Sequence, residues 1–562
     1  PPPPSLSLSL SLSLSLSLSI SFCIVCLQDV AVQCCRLGAA AYARGDYDTA
    51  IDQYRKAEVI WVAELDADHP DLATTYANLG FAFKSKGDYD TAIEYCRKSE
   101  AIYLANQSAD HPDLATTYAS LASAFKAKGH YDMAIEYYHN VEAITVSMLG
   151  VDHPSLATTY NDLGEAFRSK GDYDTAIDYY RKAGAIWLAN DHPSLAATYN
   201  NLGGVYKFKG DYDTAIEYHR KAEAIWLAKL GADHPLLATT YNNLGSAFKA
   251  KGHFDMAIEY HRKAEAIRLA KLGADHPDLA TTHNSLGLAF SAKGDYDTAF
   301  ECYRKAEAIR LAKLGADHPD LATTYNNLGG ACLSKGDYDM AIEYHRKAEA
   351  IRFAKLGADH PSLATTYNNL GSAFKAKGDY DTAIEYHRKA EAIRLAKLGA
   401  EHPSLATTYN NLGFAFDSKA DYATAIKYYR KAEAIWVAEL GADHPSLATT
   451  YNNLGLAFDS KGDCNTAIEY YRKAEAIWVA KLGTSHPLLA TTYGNLGLAF
   501  KSKGDYDTAI EYHCRAEAIR LAKLGADHPD LATTYNSLGG AFKAKGDYDT
   551  AIEYHRKAEA IR

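Results

Sequence analysis

Apolar residues recur along the chain at the spacing of amphipathic helices. In residues 360–401 the first stripe has apolar positions at i, i+4, i+7 and i+11, namely Leu363, Tyr367, Leu370 and Phe374. After a polar turn a second stripe follows, which comprises Ala383, Ala390, Ile393 and Leu398. Residues at such spacings share one face of an α-helix. The pattern therefore predicts two helices of similar length joined by a tight turn.

Proline, glycine and aspartate mark the predicted ends of these helices. Pro361 has no N–H and suits the first turn of a helix, where that group has no partner. Gly378 and Gly399 suit a left-handed helix ending, because glycine adopts positive φ without strain. Asp379 and Asp381 are candidate N-caps for the second helix. The turn between the helices is thus predicted from three residue types.

The helix pair is repeated at a fixed interval. Consecutive His-Pro pairs are 42 residues apart except for one interval of 39, and they begin at 69, 111, 153, 192, 234, 276, 318, 360, 402, 444, 486 and 528. An earlier copy without His-Pro occupies residues 30–66. A single hairpin cannot bury both of its faces, so neighbouring copies must stack on it. The sequence predicts an all-α solenoid of about thirteen helix-turn-helix repeats over residues 30–562.

This spacing resembles that of the tetratricopeptide repeat. The matching small and large positions are Leu370, Gly371, Phe374, Ala383, His387 and Ala390, with Tyr367 in place of the family's early tryptophan. The length of 42 residues, the His-Pro opening, "ATTYNNLG" and the closing "LGADHP" are more specifically similar to the kinesin light chain repeat. The resemblance covers residues 30–562. It implies a right-handed superhelix whose first helices line a concave groove for peptides, with kinesin heavy chain as a partner by resemblance alone.

A pair of asparagines in the first helix is the most regular polar feature. Asparagine is a mediocre helix former, yet the pair Asn368 and Asn369 is repeated at 200–201, 242–243, 326–327, 410–411 and 452–453. Asn368 shares a face with Thr365, Ser372 and Lys375, and Asn369 lies at the edge of that face; by resemblance the face looks into the groove. An amide both donates and accepts hydrogen bonds. We expect these amides to bind the backbone of a guest peptide; the alternative is that they bond across adjacent helices or meet water.

Three sets of residues are the predicted peptide-binding groove. The second asparagine of the pair contributes Asn78, Asn201, Asn243, Asn327, Asn369, Asn411, Asn453 and Asn495. The position of Lys375 gives an uninterrupted basic strip for an acidic segment, formed by Lys84, Lys126, Arg168, Lys207 and Lys249. The position of Ser372 gives apolar residues beside Asp417 and Asp459, for an apolar segment with basic character: Phe414, Leu456 and Leu498. The alternative for the lysines is that they only stabilise helix C-termini.

One position of the second helix alternates between two very different side chains. It holds tryptophan at 61, 187, 226, 436 and 478, and arginine at 268, 310, 352, 394, 520 and 562. A core position would not be expected to accept both an indole and a guanidinium. We therefore expect a partly exposed position that tolerates variation.

Composition and motifs argue against several classes of function. The 562 residues are 47% hydrophobic and 23% charged, with a net charge of −11, which does not favour a general nucleic-acid binder. The His-Pro histidines of adjacent copies are separated by two helix packings of about 8–10 Å each. That distance is too long for a shared metal ion with bonds of about 2 Å. No HExxH, GxxxxGK[ST] or GxSxG motif occurs, so no catalytic, metal or cofactor site is predicted.

The first 29 residues form a separate low-complexity segment of proline and alternating serine and leucine. It has no charge before Asp29 and lacks the basic start of a signal peptide. We expect it to be disordered or a gene-model artefact, with a targeting segment as the alternative. At the other end the chain stops inside a predicted helix without a polar capping helix. We therefore expect a fragment, which leaves the true number of repeats open.

The nine cysteines do not form a recognisable pattern. Cys23, Cys26, Cys34 and Cys35 have an atypical spacing for a zinc site, and the other five stand at positions that vary between repeats. No disulfide framework is implied. A reducing compartment, the cytoplasm, is therefore the expected location.

These observations favour a non-catalytic scaffold that binds extended peptide segments of other proteins, with a cargo adaptor of the kinesin light chain type as the function that the resemblance implies. Neither a nucleic acid nor a membrane is an expected partner. One alternative is the sensor or oligomerisation arm of a larger signalling protein with a nucleotide-binding domain. Another is a structural spacer that binds no peptide.

Overall fold

The computed structural model describes residues 27–64, 69–106 and 112–561, which form helices and short turns without any β-strand. The chain divides into an N-terminal part, Pro1–Ser169, and a C-terminal part, Lys170–Arg562. Nearly all of segment 1–29, including the CxxC of Cys23 and Cys26, lies outside the described residues. The all-α repeat architecture predicted from the sequence is confirmed.

Odd-numbered helices are the first helices of the repeats and even-numbered helices are the second. The helices of the N-terminal part are α1 (27–43), α2 (Tyr47–Glu64), α3 (Pro70–Lys86), α4 (Tyr89–Asn106), α5 (Pro112–Ala127), α6 (Tyr131–Leu149) and α7 (Pro154–Lys170), which ends at the division. Those of the C-terminal part are α8 (Tyr173–Ala189), α9 (Leu195–Phe208), α10 (Tyr212–Leu230), α11 (Pro235–Ala250), α12 (Phe254–Leu272), α13 (Pro277–Lys293), α14 (Tyr296–Leu314), α15 (Pro319–Lys335), α16 (Tyr338–Leu356), α17 (Pro361–Lys377), α18 (Tyr380–Leu398), α19 (Pro403–Ser418), α20 (Tyr422–Leu440), α21 (Pro445–Ser460), α22 (Cys464–Leu482), α23 (Pro487–Ser502), α24 (Tyr506–Leu524), α25 (Pro529–Lys545) and α26 (Tyr548–Ile561).

The histidine of each His-Pro pair within the described residues caps the first helix. At the start of α17 the backbone N–H of Ser362 donates to Nδ1 of His360 at 3.0 Å, and Pro361 occupies the first turn. The same bond is formed by His69, His153, His192, His234, His276, His318, His402, His444, His486 and His528. The role of the proline was predicted, but that of the histidine was not, because imidazole is not a preferred N-cap side chain.

The turn between the two helices forms as its residues predict. Gly378 ends α17 with φ 92°, and its N–H donates to the carbonyls of Lys375 and Phe374. The carboxylate of Asp379 then caps α18 by accepting from the backbone N–H of Thr382 at 3.1 Å. Close helix packing follows directly: a Cβ added to Gly371 would lie 2.6 Å from Cε1 of His387.

The position that alternates between tryptophan and arginine is buried, so the prediction of an exposed position is wrong. Arg352 is 7% exposed. Its Nη1 donates to the carbonyl of Ser362 at 2.8 Å and to Oγ1 of Thr366 at 2.7 Å, and its Nη2 donates to Oγ1 of Thr323 at 3.3 Å. These acceptors belong to the two neighbouring first helices. A guanidinium can be buried here because its Nη donors are satisfied, although Nε of Arg268, Arg310 and Arg394 has no partner among the described residues; an indole is buried for its apolar area.

Within the C-terminal part, repeats that are distant in sequence touch each other. Nε2 of His444 donates to the carbonyl of Phe208 at 3.0 Å, across 236 residues. Turn glycines lie against the starts of later first helices in four such places: Gly171 on His402, Gly210 on Pro445, Gly252 on His486 and Gly294 on His528. The C-terminal part therefore winds into a coil whose successive turns are in contact.

The replacement Gly252→Ala is expected to destabilise the C-terminal part more than Gly504→Ala does. Both glycines have positive φ, 82° and 88°, so each alanine carries a similar backbone cost, roughly 1–2 kcal/mol. Only Gly252 faces another turn of the coil, because a Cβ added to it would lie 2.6 Å from Cδ2 of His486. A Cβ added to Gly504 would have no described neighbour within 4 Å. Urea unfolding followed by circular dichroism measures both variants. Equal destabilisation would contradict the contact between turns.

Candidate functional site

The two asparagines of each pair have different environments. Asn368 is 4% exposed; its Nδ2 donates to Oγ1 of Thr408 in the next repeat at 3.1 Å, and its Oδ1 accepts from Nδ1 of His387 at 3.0 Å. The amide thus connects both helices of its own repeat to the following one. For the first asparagine, the predicted role in binding a guest peptide is wrong, and the alternative of bonding across helices is confirmed.

The same network recurs in the C-terminal part. The first asparagines donate to the threonine of the next repeat in the pairs Asn200–Thr240, Asn242–Thr282, Asn284–Thr324, Asn326–Thr366, Asn410–Thr450 and Asn452–Thr492. Histidine completes it in the pairs His219–Asn200, His261–Asn242, His345–Asn326 and His555–Asn536. Histidine fits because its ring N–H reaches an amide oxygen that no other donor approaches.

Repeats that lack one member show that the network depends on matched partners. Tyrosine replaces the histidine at 303, 429 and 471, and there the buried Oδ1 atoms of Asn284, Asn410 and Asn452 have no partner among the described residues. Conversely, Gly494 replaces an asparagine, and both ring nitrogens of His513 are left without a partner. An unpaired buried polar group costs about 1–3 kcal/mol.

Burial keeps the network histidines neutral. It lowers the pKa of His219, His261 and His387 to about 3, and that of His345 and His513 to about 4; nearby lysine or arginine charges lower each pKa further. A neutral imidazole in which Nδ1 carries the hydrogen can donate to the asparagine. The network is therefore assembled at neutral pH and is sensitive to acid.

The second asparagines are placed differently. All eight predicted groove members are half-buried, and none forms a hydrogen bond to a described residue: Asn78, Asn201, Asn243, Asn327, Asn369, Asn411, Asn453 and Asn495. Each follows a first-asparagine position in the sequence. Their role in binding stays a prediction, and their amides are available for it.

In the N-terminal part the basic positions lie among acidic groups. Nζ of Lys84 donates to Oγ of Ser123 at 3.1 Å. Arg168 pairs with Glu165 of the same helix, with Nε 3.0 Å from Oε2. The ammonium groups of Lys84 and Lys126 are near enough to Asp162 to lower its pKa, although burial, the larger effect, raises it. Acidic side chains thus interrupt the predicted basic strip.

In the C-terminal part the basic position Lys249 lacks such a partner among the described residues. Lys249 is half-buried and forms no hydrogen bond or ion pair to a described residue, and burial lowers the pKa of its ammonium group. Nζ of Lys207 lies 5.5 Å from the ring centroid of Phe208. A buried ammonium group without a counter-ion is stabilised by any anion that reaches it.

The apolar positions of the predicted groove are partly accessible. Phe414 and Leu498 are 38% and 43% exposed, and Leu456 is half-buried. Nζ of Lys375 lies 3.3 Å from the ring centroid of Phe414, and burial lowers the pKa of Lys375 to about 8. Burial also raises the pKa of the neighbouring Asp417 carboxyl. This stretch therefore offers apolar surface beside a carboxyl group.

Two further searches cover only the part of the chain that the structure describes. It contains no convergence of three or more histidine, cysteine, aspartate or glutamate side chains suited to a metal ion. None of its helices combines the length and apolar character needed to cross a membrane.

A family model described as the tetratricopeptide repeat matches nearly all of the chain after residue 29. The matched segments overlap and cover 30–105, 81–145, 113–189, 194–270, 265–312, 278–352, 320–396, 362–436, 404–478, 461–522 and 503–562. No curated protein sequence matches the chain.

Several solved structures share the repeat. A Podosopora anserina protein, described as a putative kinesin light chain with nearly identical TPR-like repeats, is 25% identical, with 36% of this chain and 96% of that chain covered and a TM-score of 0.32. BtubC (BKLC) from P. vanneervenii is 25% identical over 40% and 88%, with a TM-score of 0.33. The Cut9–Hcn1 hetero-tetramer of APC/C is 17% identical over 94% and 93%, with a TM-score of 0.42. These TM-scores are too low to compare how the repeats are arranged.

Acid is expected to destabilise the C-terminal part from about pH 6.5 downward, where an unfolded histidine starts to bind a proton. The folded pKa values of about 3 to 4 are lower, so only the unfolded state gains the proton in this window. Each buried histidine then removes about 1.4 kcal/mol of stability per pH unit until the pH reaches its folded pKa.

Urea unfolding at pH 7.5, 6.5, 5.5 and 5.0 measures the effect, before most carboxylates titrate. The control is His387→Tyr, which introduces the residue that the next repeat has at Tyr429. This variant loses one titrating group, so its stability should fall less steeply with pH. An identical slope in both proteins would show that His387 is not held neutral.

Proposed function

Since the chain belongs to the tetratricopeptide repeat family, we propose that it is a non-catalytic scaffold that binds extended peptide segments of other proteins along its first helices. The observation that carries this proposal is the row of second asparagines. They occur in eight of the repeats, are half-buried, and have no hydrogen-bond partner among the described residues. A row of unpaired amides fits a ligand that offers N–H and C=O groups at regular intervals, as an extended backbone does.

The neighbouring first asparagines support this role by fixing the helices that carry the row. Asn368 is bonded to Thr408 and His387 in two directions, so the helix that presents Asn369 is held against the next repeat. A rigid binding surface loses less conformational freedom when the ligand binds. The two asparagines of a pair thus have different roles. The first bonds neighbouring repeats to each other, and the second is available to bind the backbone of a peptide.

Side-chain preferences of the guest would come from the variable positions. Lys207 and Lys249 form a basic subsite, and the unpaired, half-buried ammonium group of Lys249 favours an acidic guest residue. Phe414, Leu456 and Leu498 form an apolar subsite beside Asp417, which favours an apolar segment with basic character. The two subsites lie on different repeats of the same part.

Replacing second asparagines should weaken peptide binding without loss of stability. The variant changes Asn201 and Asn243 in the repeats of the basic subsite, together with Asn369, Asn411 and Asn453, to alanine, and the probe is an acidic peptide selected from a displayed library of random dodecapeptides. Each lost amide bond should reduce affinity by a factor of about 2 to 10, since a net hydrogen bond is worth about 0.5–1.5 kcal/mol. Fluorescence anisotropy measures affinity, and urea unfolding measures stability.

The matched control changes the first asparagine of each of the same pairs to alanine, which should lower the urea midpoint because it breaks the bonds between repeats. A second variant, Lys207→Glu with Lys249→Glu, should abolish binding of the acidic peptide. The proposal fails if the second-asparagine variant binds normally, or if the library yields no peptide that binds.

A narrower proposal is that the chain is a cytoplasmic cargo adaptor of the kinesin light chain type. Its support is the sequence resemblance: the repeat of 42 residues, the His-Pro opening and the "ATTYNNLG" and "LGADHP" segments. In this role the groove would hold a segment of the cargo, and kinesin heavy chain would be the second partner.

Co-sedimentation with microtubules tests the narrower proposal. In the presence of purified kinesin heavy chain and a non-hydrolysable ATP analogue, the full-length product of the gene should pellet with microtubules, because that state of the motor stays bound. Without heavy chain it should remain in the supernatant. Failure to pellet in both conditions would remove the motor partner but leave the peptide-binding scaffold intact.

A further inference from the structure

Helix α6 lacks the large side chain that the other second helices bury. Thr145 occupies the position that holds tryptophan, tyrosine or arginine in every other repeat. It is itself buried, yet far smaller than the residues that it replaces. The space that an indole, phenol or guanidinium fills elsewhere is therefore available between α5, α6 and α7.

The acceptors that a guanidinium uses elsewhere remain in place. Arg310 donates to the carbonyl of Asp320, ten residues later, and to the hydroxyl of Thr324, fourteen residues later. It also donates to the hydroxyl of Thr281, twenty-nine residues earlier. Counted from Thr145, the same positions are Ser155, Thr159 and Thr116. The repeat thus places three hydrogen-bond acceptors around Thr145, where no guanidinium is present to donate to them.

A cavity of about 440 Å³ lies at this place, and Thr116, Ser155 and Thr159 are all among the residues that line it. Its apolar wall includes Val141 and Ile144 of α6. It opens to solvent beside Met148, which is 44% exposed. The cavity therefore combines a route from solvent with an apolar wall and three acceptor positions, of which the Ser155 carbonyl already accepts from Oγ1 of Thr159 at 3.3 Å.

Two substitutions give the cavity the charge pattern of a cation site. Asp162, which also lines it, stands where most repeats have the second asparagine and is the only acidic residue at that position. Met148 stands where many second helices have lysine, for example Lys397 in α18. The opening of the cavity therefore has no lysine at this position that would repel a cationic guest. Burial raises the pKa of Asp162 and the ammonium groups of Lys126 and Lys84 lower it, although neither lysine forms an ion pair with Asp162 among the described residues.

We propose that this cavity, the α6 pocket, binds the guanidinium group of an arginine side chain in an extended peptide. The guest arginine replaces the internal residue that other repeats supply: its donors reach Ser155, Thr159 and Thr116, its stem packs on Val141 and Ile144, and its charge is balanced by Asp162. Charge complementarity and the bonding pattern of Arg310 favour arginine over an aromatic guest. The proposal rests on the proposed function only in taking the arginine from a peptide.

Methionine methyl spectra of the whole chain can test the pocket directly. The sequence has four methionines; Met148 lines the pocket, while Met256 and Met340 belong to the C-terminal part. The probe is the capped pentapeptide Ala-Ala-Arg-Ala-Ala, compared with versions that carry citrulline or tryptophan in place of arginine. Arginine should shift the Met148 signal and leave Met256 and Met340 unchanged, and Met148→Leu assigns the signal. Citrulline keeps the shape of the arginine side chain but has no charge. The citrulline peptide should therefore bind at least about tenfold more weakly than the arginine peptide.

Filling the pocket provides the decisive variant. Thr145→Arg should form the bonds seen at Arg310, raise the urea midpoint and abolish the shift. Thr145→Ser keeps the pocket and should still bind, and Asp162→Asn should weaken binding about tenfold. The proposal is overturned if Met148 does not respond to the arginine peptide, if citrulline or tryptophan binds as well, or if Thr145→Arg binds normally. These results are independent of the variants at Asn369, Asn411 and Asn453, so either proposal can fail alone.

Discussion

Four repeats depend on a buried threonine hydroxyl that the preceding repeat contacts from two sides: Thr282, Thr324, Thr366 and Thr408. Thr366 is fully buried, and its Oγ1 accepts from Nδ2 of Asn326 at 3.0 Å and from Nη1 of Arg352 at 2.7 Å. One donor comes from the first helix of the earlier repeat and the other from its second helix. A buried polar group must be bonded, so this hydroxyl fixes the spacing of three helices at once. The remaining interface between repeats combines apolar contacts with exposed ion pairs, such as that of Lys377 with Asp339 at 2.6 Å.

The local structure could be predicted from the sequence because its causes are local. The stripes that include Leu363 and Leu370, the glycine turn at Gly378 and the cap at Asp379 each involve residues within a few positions of one another. The first asparagine was misread because its partners His387 and Thr408 lie on other helices, 19 and 40 residues away. Amphipathic spacing can place such an amide on a face but cannot identify what that face meets.

The buried arginine was misjudged for a related physical reason. Hydropathy treats a guanidinium as exposed, but Arg352 is buried among acceptors that two separate first helices supply. Contacts between turns of the coil, such as His444 with Phe208, were also beyond sequence reasoning, because small rotations per repeat add up over 236 residues. The groove positions could be chosen from the sequence, since variation on a constant scaffold is visible there, and their role in binding stays a prediction. The α6 pocket, by contrast, required both the absence of bulk at Thr145 and the three-dimensional set of acceptors around it.

The contacts between turns have a consequence for how such a chain can change in length. Gly210 meets Pro445, Gly252 meets His486 and Gly294 meets His528, so the pairing advances by one copy each time and reuses the same two structural elements. Copies early in the coil thus supply the turn glycine of each contact, and copies late in the coil supply the His-Pro start. A whole copy can be duplicated or lost by unequal recombination of the gene. The contacts between turns of the coil would then form again in the same register. Insertion of a few residues within a copy would not restore these contacts, because it would displace every later turn of the coil.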